Sequence, residues 1–268
     1  MLDIEHIAEQ TATAEWFIYE QPLTERIRTF LRLEFLFEQC LHHVALQSTW
    51  DSRASVAGIL EIATLLTRGD VRTEVLKELE RSTLFLNRLK GSPDVDNARL
   101  QSLLTELETL RHAMNGDGRQ LGLTLKECEF LNTIKNRLAI PGGTCQFDLP
   151  VYHAWLTQSY PRRARDLQTW MAELKPLKDT INLLMALTRE SALPSRELAE
   201  QGMFQRTFDS NTPCPLVRVM VPSSSGVYPE ISAGRQRMTI HFLERDDANS
   251  RPQQSKRDIG FKLVCCQF

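Results

Sequence analysis

Residues 137–156, RLAIPGGTCQFDLPVYHAWL, divide the chain into two kinds of sequence. Upstream, apolar residues recur every three or four positions, the spacing of one helix face. At Pro141-Gly142-Gly143 that rhythm stops, since proline interrupts the helical hydrogen-bond ladder and paired glycines favour a turn. Cys145-Gln146-Phe147-Asp148-Leu149 then alternates apolar and polar residues, the period of a strand. The segment predicts a junction between a helical region and a region with strands. It holds no phosphate loop, no nucleophile elbow and no metal-ligand spacing.

Upstream of the junction, Trp16-Phe17-Ile18-Tyr19 is aromatic and β-branched and reads as a short strand stopped by Pro22. Thr24 can cap the helix that carries Ile27, Phe30, Leu33, Phe37, Leu41 and Val44. Asp51-Ser52 is the expected cap of a second helix carrying Val56, Ile59, Ala63 and Leu66. After Gly69-Asp70, a third carries Val75, Leu79, Leu86 and Leu89 and ends near Gly91. A fourth has a stripe of Leu100, Leu103, Leu104, Leu107, Leu110 and Met114. Thr124 with Glu127 fits a capping box that opens a shorter helix to Leu138.

Downstream, helices are expected over 150–158 and 164–193, with Pro176 kinking or dividing the second. Residues 216–221, 237–242 and 260–265 read as strands, with a polar hairpin loop over 246–255. With the segments near Phe17 and Phe147 they predict a mostly antiparallel sheet. The expected fold class is α+β, an all-helical domain joined to a mostly antiparallel β domain with accompanying helices. The expected boundaries are a mobile segment at 1–14, a helical domain over 23–140 that is the candidate for dimerisation, and a discontinuous β domain of 15–22 plus 141–268.

Composition limits the function. The 268 residues have room for one large domain or two ordinary ones, and 42% hydrophobic content supports a real core. A net charge of −2 supplies no bulk field toward nucleic acid or anionic membrane, and no apolar run reaches a membrane span. The first 21 residues carry five acids and no Lys or Arg, the reverse of a secretory leader, so a cytoplasmic location is expected. The six cysteines include no C-x-x-C pair and suit reduced, mostly buried thiols; Cys265-Cys266 stands out because it lies near an end of the sequence.

Catalytic patterns fail one by one. Gly142-Gly143-Thr144 lacks the lysine of a phosphate loop, and Ser223-Ser224-Ser225-Gly226 lacks the nucleophile-elbow spacing. His42 and His43 are adjacent, so on a helix they point about 100° apart and cannot share a metal. No catalytic residue, metal site or cofactor is expected. What remains is arginine placement. Arg68 and Arg72 flank a helix junction. On the strand leading to Phe242, Arg235, Arg237, Thr239 and His241 share one face, while Met238, Ile240 and Phe242 share the other. Between residues 203 and 245 five arginines face three acids. Such a stripe is either an ordinary solvated face or a dock for a carboxylate-bearing peptide, which suits arginine's planar fork.

At these blocks the sequence resembles the ZapD family of bacterial cell-division proteins. The matching residues are Pro22-Leu23-Thr24-Glu25 with the run 28–36, the run 68–79 (RGDVRTEVLKEL), residues 137–149, Tyr228-Pro229-Glu230-Ile231-Ser232, and Cys265-Cys266. They lie in the family's order from about residue 17 to 266, and the IPGG-x-C-x-FDLP block is the most specific of them. The resemblance implies a helical domain joined to a β domain, a homodimer, and no catalysis. It implies binding to the C-terminal tail of FtsZ, the tubulin-like division GTPase, with cross-linking and bundling of its filaments at the midcell ring. Tail-binding positions map to Arg68 and Arg237, with a third on His241, where Arg235 and Arg245 would compensate for the weaker charge. Contacts between dimers map to Arg32, Glu129 and His153, with Glu129 standing where the family has a basic residue. Neither nucleic acid nor membrane is an expected partner. The alternatives are a generic helical adaptor or scaffold for another acidic peptide, or an enzyme with an unrecognised site.

Overall fold

The computed structural model describes residues 16–93, 95–116, 121–208, 214–234, 236–245 and 247–267. The expected mobile segment 1–14 lies outside these residues. The chain forms two compact units, Thr29–Met185 and the discontinuous pair Met1–Arg28 with Ala186–Phe268.

The first unit is helical. Its elements are α1 (Glu25–Val44), entering the unit at Thr29, α2 (Thr49–Arg68), α3 (Val71–Arg88), α4 (Asn97–Asn115), α5 (Leu123–Glu127), α6 (Glu129–Leu138), α7 (Pro150–Leu156) and most of α8 (Tyr160–Glu190). The apolar stripes read from the sequence supply much of the buried faces: Phe30, Leu33 and Phe37 on α1 and Val56 and Ile59 on α2 are essentially inaccessible, joined by Ile62 on α2 and Leu131 and Ile134 on α6, whereas Leu41 is exposed. Phe130, Tyr152, Trp155 and Trp170 form an aromatic cluster with centroids 5.6–6.0 Å apart.

Local chemistry sets the helix ends, not always as expected. Ser48, not Asp51-Ser52, caps α2: the Asp51 amide donates to Ser48 Oγ at 3.0 Å and the Ser48 amide to Asp51 Oδ2 at 3.2 Å. The Thr124–Glu127 box does not form. Gly122 precedes α5 in the left-handed region, the Thr124 amide donates instead to Glu173 at 3.0 Å, and extended backbone at Cys128 separates α5 from α6. Pro176 does not divide α8, which runs through it. Arg163 is buried beside the start of α2, and its guanidinium donates to the carbonyls of Gln47, Ser48 and Gln158 and to the Ser52 hydroxyl.

The strand expected over Cys145–Leu149 is absent. Residues 139–148 form successive turns closed by Gly143 N to Ile140 O at 2.9 Å, Cys145 N to Gly142 O at 2.9 Å and Leu149 N to Cys145 O at 3.0 Å. Alternation alone does not make a strand when the amides are used in turns and no neighbour offers a ladder. Arg53 of α2 pins these turns, donating to Thr144 O at 3.1 Å while its guanidinium lies 4.9 Å over Tyr152. The segment therefore joins α6 to α7 within the helical unit, and the helices over 150–185, expected beside the sheet, group with that unit.

The second unit contains eight strands among its described residues: β1 (Trp16–Pro22), β2 (Ser195–Ala199), β3 (Met203–Thr207), β4 (Leu216–Pro222), β5 (Val227–Ala233), β6 (Arg237–Glu244), β7 (Gln253–Gln254) and β8 (Ile259–Cys266). They make two antiparallel sheets rather than the single one expected, ordered β1-β4-β8-β2 and β3-β6-β5, with β7 on the end of β6. β1 lies on β4 with Phe17 opposite Val221, so residues near both ends of the chain share one sheet. Val217, Val219 and Val221 of β4, Met238, Ile240 and Phe242 of β6, and Ile259, Phe261 and Leu263 of β8 form one core. On the other face of the first sheet, the Glu20 carboxylate accepts from Arg189 Nε and Nη2, each at 2.8 Å, and from Arg218 Nε at 2.9 Å.

Candidate binding face

The alternation of β6 positions the site. Burial of Met238, Ile240 and Phe242 turns Arg237, Thr239 and His241 to the outer face of the second sheet, as the strand's period requires. Register supplies their neighbours: Arg237 lies opposite Thr207, Thr239 between Gln205 and Ser232, and His241 between Met203 and Glu230. Arg237 is exposed, and its side chain forms no ion pair or hydrogen bond among the described residues. His241 is half-buried. Its Nδ1 donates to Gln254 Oε1 at 3.1 Å, and Gln254 Nε2 in turn donates to Gln201 O at 3.0 Å. That tether leaves Nε2 as the ring's remaining nitrogen for a ligand.

Next to this face the β6–β7 hairpin walls a cleft of about 410 Å³ lined by Glu244, Arg245, Ser250, Arg251, Lys256 and Arg257 with Gln253 and Gln254. Among its described lining residues the one acid is already engaged. Glu244 accepts from the Ser255 hydroxyl and from Arg257 Nη2 at 2.8 Å, and Ser255 first and then Arg257 hold its carboxyl below the usual range against the opposing effect of burial. Arg245 donates through Nε to Ser250 O at 3.1 Å. Arg251 and Lys256 carry no ion pair among the described residues. Among the described residues, Arg245, Arg251 and Lys256 thus present cationic charge to the cleft with no ion-paired carboxylate. Arg251 falls in the polar loop expected over 246–255 and Lys256 just after it; the run RPQQSKR carries no sign that the hairpin folds them against β6.

The remaining expected positions are dispersed. Arg235 and the Arg68 side chain lie outside the described residues, although the Arg68 backbone ends α2. Arg72 is structurally committed, donating to Met114 O at 3.1 Å and Asn115 O at 2.9 Å at the end of α4. Arg32 is exposed on α1, beside a groove lined by Phe35, Leu36, Glu61, Thr64 and Leu65. Glu129 opens α6 and His153 sits on α7, so these three positions occupy separate helices. No group of His, Cys, Asp and Glu suited to a metal occurs among the described residues, and none of their helices is long and apolar enough to cross a membrane.

This is an α+β protein built of a helical unit and a two-sheet unit whose outer strand face and hairpin cleft are basic. A family model described as ZapD, cell division protein, matches residues 31–241. Cell division protein ZapD of Methylococcus capsulatus is 39% identical over 249 residues, covering 93% of this chain and 97% of that protein. The same-named protein of Bordetella petrii is 38% identical over 249 residues, covering 93% and 98%. That of Coxiella burnetii is 37% identical over 251 residues, covering 93% and 97%. The chain belongs to the ZapD family of cell division proteins.

Proposed function

We propose that this chain binds the C-terminal tail of FtsZ through the basic face of its β unit and, as a homodimer, cross-links and bundles FtsZ filaments at the division ring in the cytoplasm. The observation that carries the reading is the run of basic side chains from Arg237 into the Arg245, Arg251 and Lys256 cleft, none of them in an ion pair among the described residues. Arg235 is a further contact on this face, and His241 adds a hydrogen bond through Nε2. Arg68, in the helical unit, is proposed as a contact in its own right.

Magnitudes shape the mode of binding. Exposed ion pairs contribute about 0.2–1 kcal/mol each, whereas a micromolar complex requires about 8 kcal/mol. Three or four rim pairs fall short, so the tail also makes main-chain or apolar contacts. β3 is an edge strand beside this face, and an extended tail added there would gain ladder hydrogen bonds next to Met203. A dimer with two docks on a polymer gains further by avidity. Arg32, Glu129 and His153 are proposed as contacts between dimers.

Calorimetry with a tail peptide tests the dock. Arg237→Glu and Arg68→Glu, alone and combined, are expected to weaken binding at least about tenfold, the loss of one to two charge-assisted contacts. Unchanged affinity in the folded double variant would reject the assigned residues. Sedimentation with FtsZ, with and without its tail, tests the wider reading; tail-independent pelleting, or none, would reject it.

A further inference from the structure

The edge of the two-sheet core carries a second chemistry, separate from the basic face. Cys265 on β8 and Cys214, two residues before β4, are each half-buried against the same core. Arg206 of β3 divides its guanidinium between two partners: Nη1 lies 3.9 Å from Cys265 Sγ, and Nη2 donates to Glu197 of β2 at 2.6 Å. The Cys214 thiol donates to Leu216 O at 3.3 Å and lies close enough to Cys265 for each sulfur to shift the other's acidity. Two thiols and a cation thus meet at one point, with access to solvent.

The neighbouring cysteine makes a contrast. Cys266 points to the opposite face of β8, is fully buried, and has its thiol pushed up to about 11, chiefly by burial. Cys40 is likewise buried and pushed up to about 12, chiefly by burial. Cys265 moves the other way. The Cys214 thiol and then Arg206 favour its thiolate, burial and Glu197 oppose it, and the balance brings it down to about 6. Cys214 is pushed up by Cys265 and by burial, which keeps its proton on sulfur.

We propose that Cys265 and Cys214 form a peroxide-reactive pair, with Cys265 as the attacking thiolate and Cys214 as the resolving thiol. The Cys265 sulfur attacks one oxygen of a hydroperoxide, here hydrogen peroxide. The O–O bond breaks, hydroxide leaves and is protonated to water, and Cys265 is oxidised to the sulfenic acid. The Cys214 sulfur then attacks Cys265 Sγ. The S–S bond forms, the S–O bond breaks, and the hydroxyl leaves as water with the Cys214 proton. One peroxide is reduced to two waters as two thiols become a disulfide. The new bond ties the segment before β4 to the strand with which β4 already pairs.

The test treats the intact chain with hydrogen peroxide, blocks remaining thiols with N-ethylmaleimide, and maps the products by mass spectrometry. The expected product is a Cys214–Cys265 linkage lighter by two hydrogens. Cys214→Ser should leave a sulfenic acid on Cys265 that dimedone captures, and Cys265→Ser should leave Cys214 reduced. Linkage to another cysteine or another chain, or oxidation of Cys128 and Cys145 ahead of Cys265, would overturn the proposal. A second readout needs no variant. At pH 6 iodoacetamide should modify Cys265 about tenfold faster in the folded chain than in the urea-unfolded chain, the larger thiolate fraction outweighing the lower intrinsic nucleophilicity. Equal rates would overturn it. Arg206→Met should bring that ratio toward one while circular dichroism stays unchanged; a folded variant that keeps the full ratio would remove Arg206 from the device.

Discussion

Glu20 shows how a residue's role escapes a linear reading. In the sequence it is one of five acids in an acidic lead-in. In the fold it sits opposite Arg218 and receives both arms of Arg189, 169 positions away. Burial alone would raise its pKa, but Arg189 first and then Arg218 outweigh that and hold the carboxyl below its ordinary value of 4.5. The unfolded chain therefore binds the proton more readily than the folded one. The stabilisation is fully present above about pH 4.5 and is lost as pH falls through the lower folded value. Glu20→Gln should lower unfolding free energy near pH 7 by about 1–3 kcal/mol, because two guanidiniums lose their shared counter-charge. It should also flatten the acid side of the stability profile. Urea titrations between pH 3 and about pH 7 measure both; a parallel acid limb in the variant would refute the role given to this carboxylate. Arg237 and His241 were legible at this scale because one strand's alternation places them. Arg251 and Lys256 were not, because their position depends on a hairpin folding back.

At the scale of elements, residues 139–149 are the sharpest case. Their alternation looks like a strand, yet they fold as pinned turns. Gly143 explains why the block tolerates so little: a Cβ there would lie 2.6 Å from Arg137 O and 2.8 Å from Ile140 Cβ. Backbone cannot retreat as a flexible side chain can. Gly143→Ala should cost about 1–3 kcal/mol. Gly69→Ala is the matched control, since a Cβ there meets nothing within 4 Å and should change stability by less than about 0.5 kcal/mol. Equal melting shifts for the two would contradict the close approach. Helices were the most legible elements, since three- and four-residue spacing survives in α1, α2 and α4. Strands were less so. β4, β6 and β8 showed themselves by apolar alternation, while β2 reads SRELA and β5 contains Pro229, and both form because a neighbour offers a ladder.

At the scale of the molecule, the proposed function combines weak individual docks with valence. A single tail peptide should bind weakly, and raising salt from about 50 to about 500 mM should weaken it several-fold as the Debye length shrinks below the span of the basic face. Bundling should fall more steeply than peptide binding, because each cross-link requires two docks. Calorimetry and light scattering over the same salt series compare the two; a salt-independent peptide affinity would point away from the basic cleft. The sequence by itself determined the α+β class, most helical faces, four of the strands (β1, β4, β6 and β8) and the family resemblance, because these depend on the residues within one element. Only the tertiary structure decided that the strands form two sheets, that Glu20 serves two arginines, that the hairpin adds its cations to β6, and that Cys214 meets Cys265. Those are pairings between residues tens to hundreds of positions apart, and local periodicity records which face a residue occupies but not which distant face will cover it.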